Sequence, residues 1–153
     1  STELADAILT RLRFDTAGRT RITQLIRYHD LPIAPEPKPI RRLMNKLGVE
    51  TVRQLFALHF ADTCGQSAIC AGRVETYRQA ERVLDALLAA DACFSLKDLA
   101  VNGDDLLALG LRGRAVGAAL QACLDAVMDE AVPNDRTALL AYAAENLQRF
   151  ANS

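Results

Sequence analysis

Residues 94–110 read FSLKDLAVNGDDLLALG, and no other stretch of the chain is as densely patterned. Ser95-Leu96-Lys97-Asp98 has the form of a short capping box. The serine hydroxyl is placed to accept from the Asp98 backbone N–H while the Asp98 carboxylate reaches back. This spacing predicts a short helix over about 96–101. Asn102 then caps a second helix, with Asp104 and Asp105 in its first turn, where carboxylates suit the positive end of the helix dipole. The two aspartates are therefore read as capping groups rather than catalytic acids. Leu106, Leu107 and Leu109 supply apolar contacts, and Gly110 closes the helix. Asn102-Gly103 leads into helix-forming residues, so it is not a hairpin turn between alternating runs.

The next residues, Gly110-Leu111-Arg112-Gly113-Arg114-Ala115-Val116-Gly117, lead into a long helix ending near Glu130. A glycine-containing turn before a helix N-terminus exposes backbone N–H groups, and two arginines lie beside it. Such a turn can hold a phosphate. It can also be a packing corner, with Gly117 and Ala118 allowing close approach, and spacing alone favours that reading without closing the other.

Helical rhythm extends in both directions. Leu4, Ile8 and Leu12 share a stripe, so residues 3–12 read as a helix, and Ile22, Leu25, Ile26 and His29 define another over about 17–30. Residues 31–40, LPIAPEPKPI, hold four of the five prolines, so regular helix cannot persist there. A break at 31–38 follows, with Pro39 suited to the first position of a helix that Gly48 stops. Val52, Leu55, Phe56, His59 and Phe60 make the next stripe, ending near Gly65, and His59 on it reads as a satisfied core histidine. Residues 66–72 read as a loop, then a long helix runs from about 73 to 91. A last helix spans 134–150. With half of the residues hydrophobic, no Trp and few aromatics, the core must be built from Leu, Ala, Val and Ile. The expectation is an all-α array of about eight or nine helices without a sheet.

The net charge of −1 gives no sign of a strongly basic nucleic-acid binder. Its distribution is uneven: residues 1–50 carry 9 Lys/Arg against 6 Asp/Glu, and residues 103–153 carry 4 against 7. A polyanionic partner should meet the N-terminal part or a local loop elsewhere. Cys64, Cys70, Cys93 and Cys123 show no CxxC spacing. They read as small apolar residues of a reduced protein rather than zinc ligands. No signal peptide and no apolar run of membrane-spanning length is present, so a soluble, cytoplasmic protein without a membrane partner is expected. The opening Ser1-Thr2, already leading into helical rhythm, reads as a piece of a longer protein.

Residues 94–110, the Gly113 and Gly117 pair, and Val132-Pro133-Asn134 together resemble the C-terminal region of bacterial CCA-adding tRNA nucleotidyltransferases and poly(A)-polymerase-like enzymes. Upstream, RFDTAGRTRITQLIRYHDLPI resembles a late helix of an HD domain, with His29 at its end. LFALHFADTCGQS resembles its closing helix, with Asp62 at the acidic position. The resemblance implies two domains: residues 1–65, the end of a truncated HD-like helical domain, and residues 66–153, a helical tRNA-binding tail. It implies tRNA as the partner. Arg41, Arg42, Lys46, Arg112, Gly113 and Arg114 are the candidate RNA-contacting residues.

The departures are specific. The Gly-Ser turn and Asp-x-Asp pair that hold Mg²⁺ for nucleotidyl transfer in that family are absent. No catalytic residue is assigned, and no cofactor or metal is expected for this chain; Mg²⁺ belongs to the parent enzyme. The signature His-Asp pair is not matched, and Arg114 stands where many relatives carry proline. His29 and Asp62 look like half of a metal site. As alternatives, the chain is part of an HD-type metal-dependent phosphohydrolase completed by those two ligands, or a helical protein-interaction module.

Overall fold

A computed structural model describes residues 2–65 and 71–151. Among them the chain is all-α: nine α-helices and a short 3₁₀ turn, with no strand. It divides into two compact units, Ser1–Leu88 and Ala89–Ser153. The division falls later than the 65/66 boundary read from sequence. Helix α5 (Ala71–Ala89) is continuous, and Arg53 of α4 (Val49–Gly65) pairs with its Asp85 at 2.5 Å. Residues 66–70 of the expected loop lie outside the described residues, and Ala71 is already helical.

The first unit opens with α1 (Thr2–Arg11) and α2 (Thr16–Tyr28). Asp15 caps α2 by accepting from the Gly18 N–H at 2.7 Å. Arg19 of α2 pairs with Asp6 of α1 at 3.1 Å. The stripe that predicted α1 is not covered: Leu4 is 67% exposed and Leu12 60%. Helix α3 spans Pro37–Leu47, so the break covers 31–36, and Pro37 rather than Pro39 holds the first helical position behind the Glu36 cap. Proline is free at N1 because its missing N–H would have no partner there. Gly48, at φ +78°, alone joins α3 to α4, and its N–H bonds to the Met44 carbonyl at 2.9 Å. That φ favours glycine, so two helices can follow one another across a single residue. Ile40, Met44 and Leu47 of α3 are buried, as are Val52, Leu55 and Phe56 of α4 and Ala80, Leu84 and Leu87 of α5.

The second unit is built around α7 (Arg114–Met128). Packed on it are α6 (Gly103–Ala108), α8 (Arg136–Glu145) and α9 (Leu147–Ala151). Val101, Leu106, Leu111, Ala119, Cys123, Leu139, Ala143 and Phe150 form its core. The single last helix expected over 134–150 is two. Asn146 leaves helical geometry at φ −107°, ψ 13°, and its side chain donates to the Tyr142 carbonyl at 2.8 Å. Asparagine competes for local backbone groups in this way, which interrupts helices. After the break Phe150 is buried. Leu107, expected to contact the core, is 40% exposed. Cys93 and Cys123 are buried, and burial pushes the Cys123 thiol up; Cys64, by contrast, is exposed.

Candidate nucleic-acid interface

Helix α3 sorts its residues by face. Ile40, Met44 and Leu47 point into the first unit, and the opposite side carries Lys38, Arg42 and Lys46, all exposed. Their spacing of i, i+4, i+8 makes a ridge about 12 Å long at 1.5 Å per residue. Two of these residues, Arg42 and Lys46, were candidates from sequence. Lys38 was missed, although the same spacing counts back to it. Arg41 is half-buried and stands off the ridge. Lys46 places its ammonium 5.0 Å from the centre of the Tyr28 ring, a cation–π contact that steadies the C-terminal end of the ridge.

In the second unit the glycine turn has a definite shape. Gly110, at φ +92°, ends α6: its N–H bonds to the Leu107 carbonyl, and the Leu111 N–H reaches Leu106. The Arg112 guanidinium turns back and donates from Nη1 to the Leu107 and Leu111 carbonyls at 2.6 and 2.7 Å. It therefore caps the C-terminus of α6, where a cation suits the dipole. Gly113, at φ 55° and ψ −126°, is the N-cap of α7. The Ala115 and Val116 N–H groups bond to the Arg112 and Gly113 carbonyls at 3.2 and 3.3 Å. The open row of amides expected at this helix start is thus already largely paired. Arg114 is exposed, with no side-chain partner among the described residues. A Cβ added at Gly117 would meet nothing within 4 Å, so this glycine does not serve close approach.

The patterned stretch is held in place by short-range and long-range bonds. Asp98 accepts from the Ser95 N–H at 2.9 Å and also from the Ser95 hydroxyl at 2.8 Å, and Ser95 with Asp98 forms the capping box read from sequence. The turn that follows is only Leu96–Asp98, shorter than expected. Asn102 accepts from the Asp104 and Asp105 N–H groups, and Asp105 accepts from the Asn102 N–H at 3.0 Å. Arg136 of α8 closes on Asp105 at 2.6 Å. The Asn102 N–H and the Arg136 guanidinium hold the Asp105 carboxyl below its ordinary range. Asn134 then clamps the stretch from a distance: its Oδ1 accepts from the Ala100 N–H at 2.9 Å, and its Nδ2 donates to the Asp98 carbonyl at 2.7 Å.

His29, His59 and Asp62 line one mostly apolar cavity of about 550 Å³ with Ile22, Leu25, Ile26 and Leu58. His29 Nδ1 sits 2.7 Å from the Ile26 carbonyl, and its Nε2 is 3.1 Å from Asp30. His59 is buried and stacks on Tyr77 with centroids 5.1 Å apart, but it is not the satisfied core histidine expected. Its Nε2 is buried without a hydrogen-bond partner. Burial lowers its pKa, against the opposing effects of the Tyr28 carbonyl and the Asp62 charge. Among the described residues no three His, Cys, Asp or Glu side chains are placed to hold a metal ion, and no helix is long and apolar enough to cross a membrane.

A family model described as tRNA nucleotidyltransferase domain 2 matches residues 38–143. The match begins at the first residue of the basic ridge and includes the glycine turn, the capped stretch and Asn134. No curated protein and no solved structure matches the chain.

Proposed function

Because the chain belongs to the tRNA nucleotidyltransferase domain 2 family, we propose that it grips tRNA and positions the 3′ end for CCA addition by a catalytic head not contained in this sequence. The observation that carries this reading is the ridge of Lys38, Arg42 and Lys46, set on a helix whose other face is locked into the core. A rigid row of cations follows a phosphate backbone without reading bases, which is how A-form RNA is recognised by shape. Arg114, beside the Gly113 turn, adds a second contact in the other unit. Arg112 contributes by holding the turn rather than by reaching outward. Nucleotidyl transfer needs a metal held by paired carboxylates. The Gly-Ser and Asp-x-Asp elements for that step are absent here, so Mg²⁺ and the chemistry belong to the head. This role places the protein in the cytoplasm.

The cavity shared by His29, His59 and Asp62 favours a second reading, the remnant of a metal-dependent phosphohydrolase site. It ranks lower because hydrolytic metal sites need three protein ligands with an open position, and among the described residues no three such side chains are placed to hold an ion.

The test is titration with tRNA lacking its 3′ terminus, at two salt concentrations, beside a DNA duplex of equal length. The proposal expects tighter binding of tRNA, weakened by salt, and no incorporation when CTP, ATP and Mg²⁺ are added. Equal affinity for both nucleic acids, or nucleotide incorporation by the chain itself, contradicts it.

A further inference from the structure

Resting on the tRNA reading of the α3 ridge, we propose that Tyr28 is a positioning residue for that ridge: its ring holds the Lys46 ammonium in place for a phosphate, and the contact stays made when RNA is bound. Lys46 stands at the end of the ridge, in the last turn of α3, two residues before Gly48 stops the helix. Its side chain is exposed. A long exposed lysine loses much of its rotamer freedom when a phosphate immobilises it. Tyr28 removes part of that cost beforehand. Its ring belongs to another helix, α2, and its centre lies 5.0 Å from the Lys46 Nζ.

The ring is itself anchored. Tyr28 is the last residue of α2 and is half-buried. Its carbonyl accepts a hydrogen bond from the His59 ring of α4, which is buried and stacks on Tyr77 of α5 with centroids 5.1 Å apart. His59 Nε2 has no partner, so the bond to Tyr28 comes from Nδ1. The end of α2 is thereby tied to α4 and α5, and Tyr28 is the fixed member of its pair with Lys46. The ring covers one flank of the ammonium. An ammonium has three N–H donors, and an exposed one keeps those turned away from the ring for phosphate oxygens. The choice of an aromatic residue matters here. A carboxylate beside Lys46 would steady it equally well but cancel its charge, whereas the ring attracts the cation through its quadrupole and leaves the full charge for a polyanion.

A double-mutant cycle tests this, read as affinity for tRNA lacking its 3′ terminus at low salt, with circular dichroism and thermal melts as checks on folding. Tyr28→Leu removes the ring and should weaken binding about two- to fivefold, the factor that an exposed cation–π contact supplies. Tyr28→Phe keeps the ring and should rescue the affinity. In a Lys46→Met background Tyr28→Leu should have no further effect. A second readout uses the unmutated chain: in proton NMR the Lys46 ε-protons should be moved upfield by the Tyr28 ring current, and should stay so when tRNA is added. Equal or tighter binding by Tyr28→Leu overturns the proposal, since the ring then does nothing for the lysine or competes with phosphate for it. An equal loss in the Lys46→Met background, or a Tyr28→Phe variant as weak as Tyr28→Leu, overturns it as well, because Tyr28 would then act by another route. So does an ε-proton shift that is absent, or that vanishes on tRNA binding. An unmutated chain that binds no tRNA sinks the tRNA reading and this inference together; one that binds tRNA, with Tyr28→Leu folded and unchanged in affinity, sinks this inference alone.

Discussion

Replacing Asn134 by Ala tests how the patterned stretch is held. The side chain makes two hydrogen bonds across 34 and 36 residues of sequence, accepting from the Ala100 N–H and donating to the Asp98 carbonyl. A typical internal hydrogen bond contributes a net of about 0.5–1.5 kcal/mol. Both bonds lie at the surface, where water replaces part of what is lost, so the expected destabilisation is about 1–2 kcal/mol. Asn134→Asp keeps the acceptor for Ala100 but loses the donor to Asp98, so it should cost roughly half as much by the same reckoning. Urea denaturation of the three proteins measures the differences. Hydrogen exchange at the Ala100 amide locates them: protection should fall in the Ala variant and persist in the Asp variant. If Asn134→Ala lies within about 0.3 kcal/mol of the parent and Ala100 exchange is unchanged, the clamp contributes nothing and the reasoning fails.

Two further outcomes follow from the geometry. Gly117 lies within α7 with open space where a Cβ would go, so Gly117→Ala should stabilise the protein by about 0.5–1 kcal/mol in a thermal or urea melt; destabilisation would show a hidden constraint at this position. His59 has a lowered pKa in the folded chain, so below its ordinary value of 6.5 the unfolded chain takes up a proton that the folded chain resists. Stability should therefore decline as pH drops below about 6.5, and His59→Phe should flatten that part of the profile; the same slope in both proteins would mean another group is responsible.

Local signals were legible and long-range ones were not. Gly48 and Gly110 end helices as their sequence context indicates, and Asn102 with Asp105 forms a reciprocal cap, because each of these needs only neighbours within a few residues. The role of Asn134 depends on a loop 34 residues away, so no local pattern contains it. Proline density marked the break after α2, but the sequence reading puts Pro39 at the first helical position, which Pro37 holds, because both prolines are compatible with the first helical turn. Apolar periodicity identified α1 and its stripe; it could not say whether anything covers that stripe, because periodicity records which face is apolar and not what lies against it. Arg112 and Arg114 looked equivalent as arginines beside a turn. Only the backbone geometry shows one folded back on α6 and the other exposed.

The central claim, that this chain contacts tRNA through the exposed ridge of α3, is tested most directly by the salt dependence of tRNA affinity in an Arg42→Ala/Lys46→Ala variant beside the parent. Each phosphate contact removed lowers the slope of log K against log salt by somewhat under one. The account predicts a slope shallower by about 1–2 and weaker binding at low salt, with helicity and stability close to the parent because both side chains are exposed. An unchanged slope and affinity in a folded variant would contradict it.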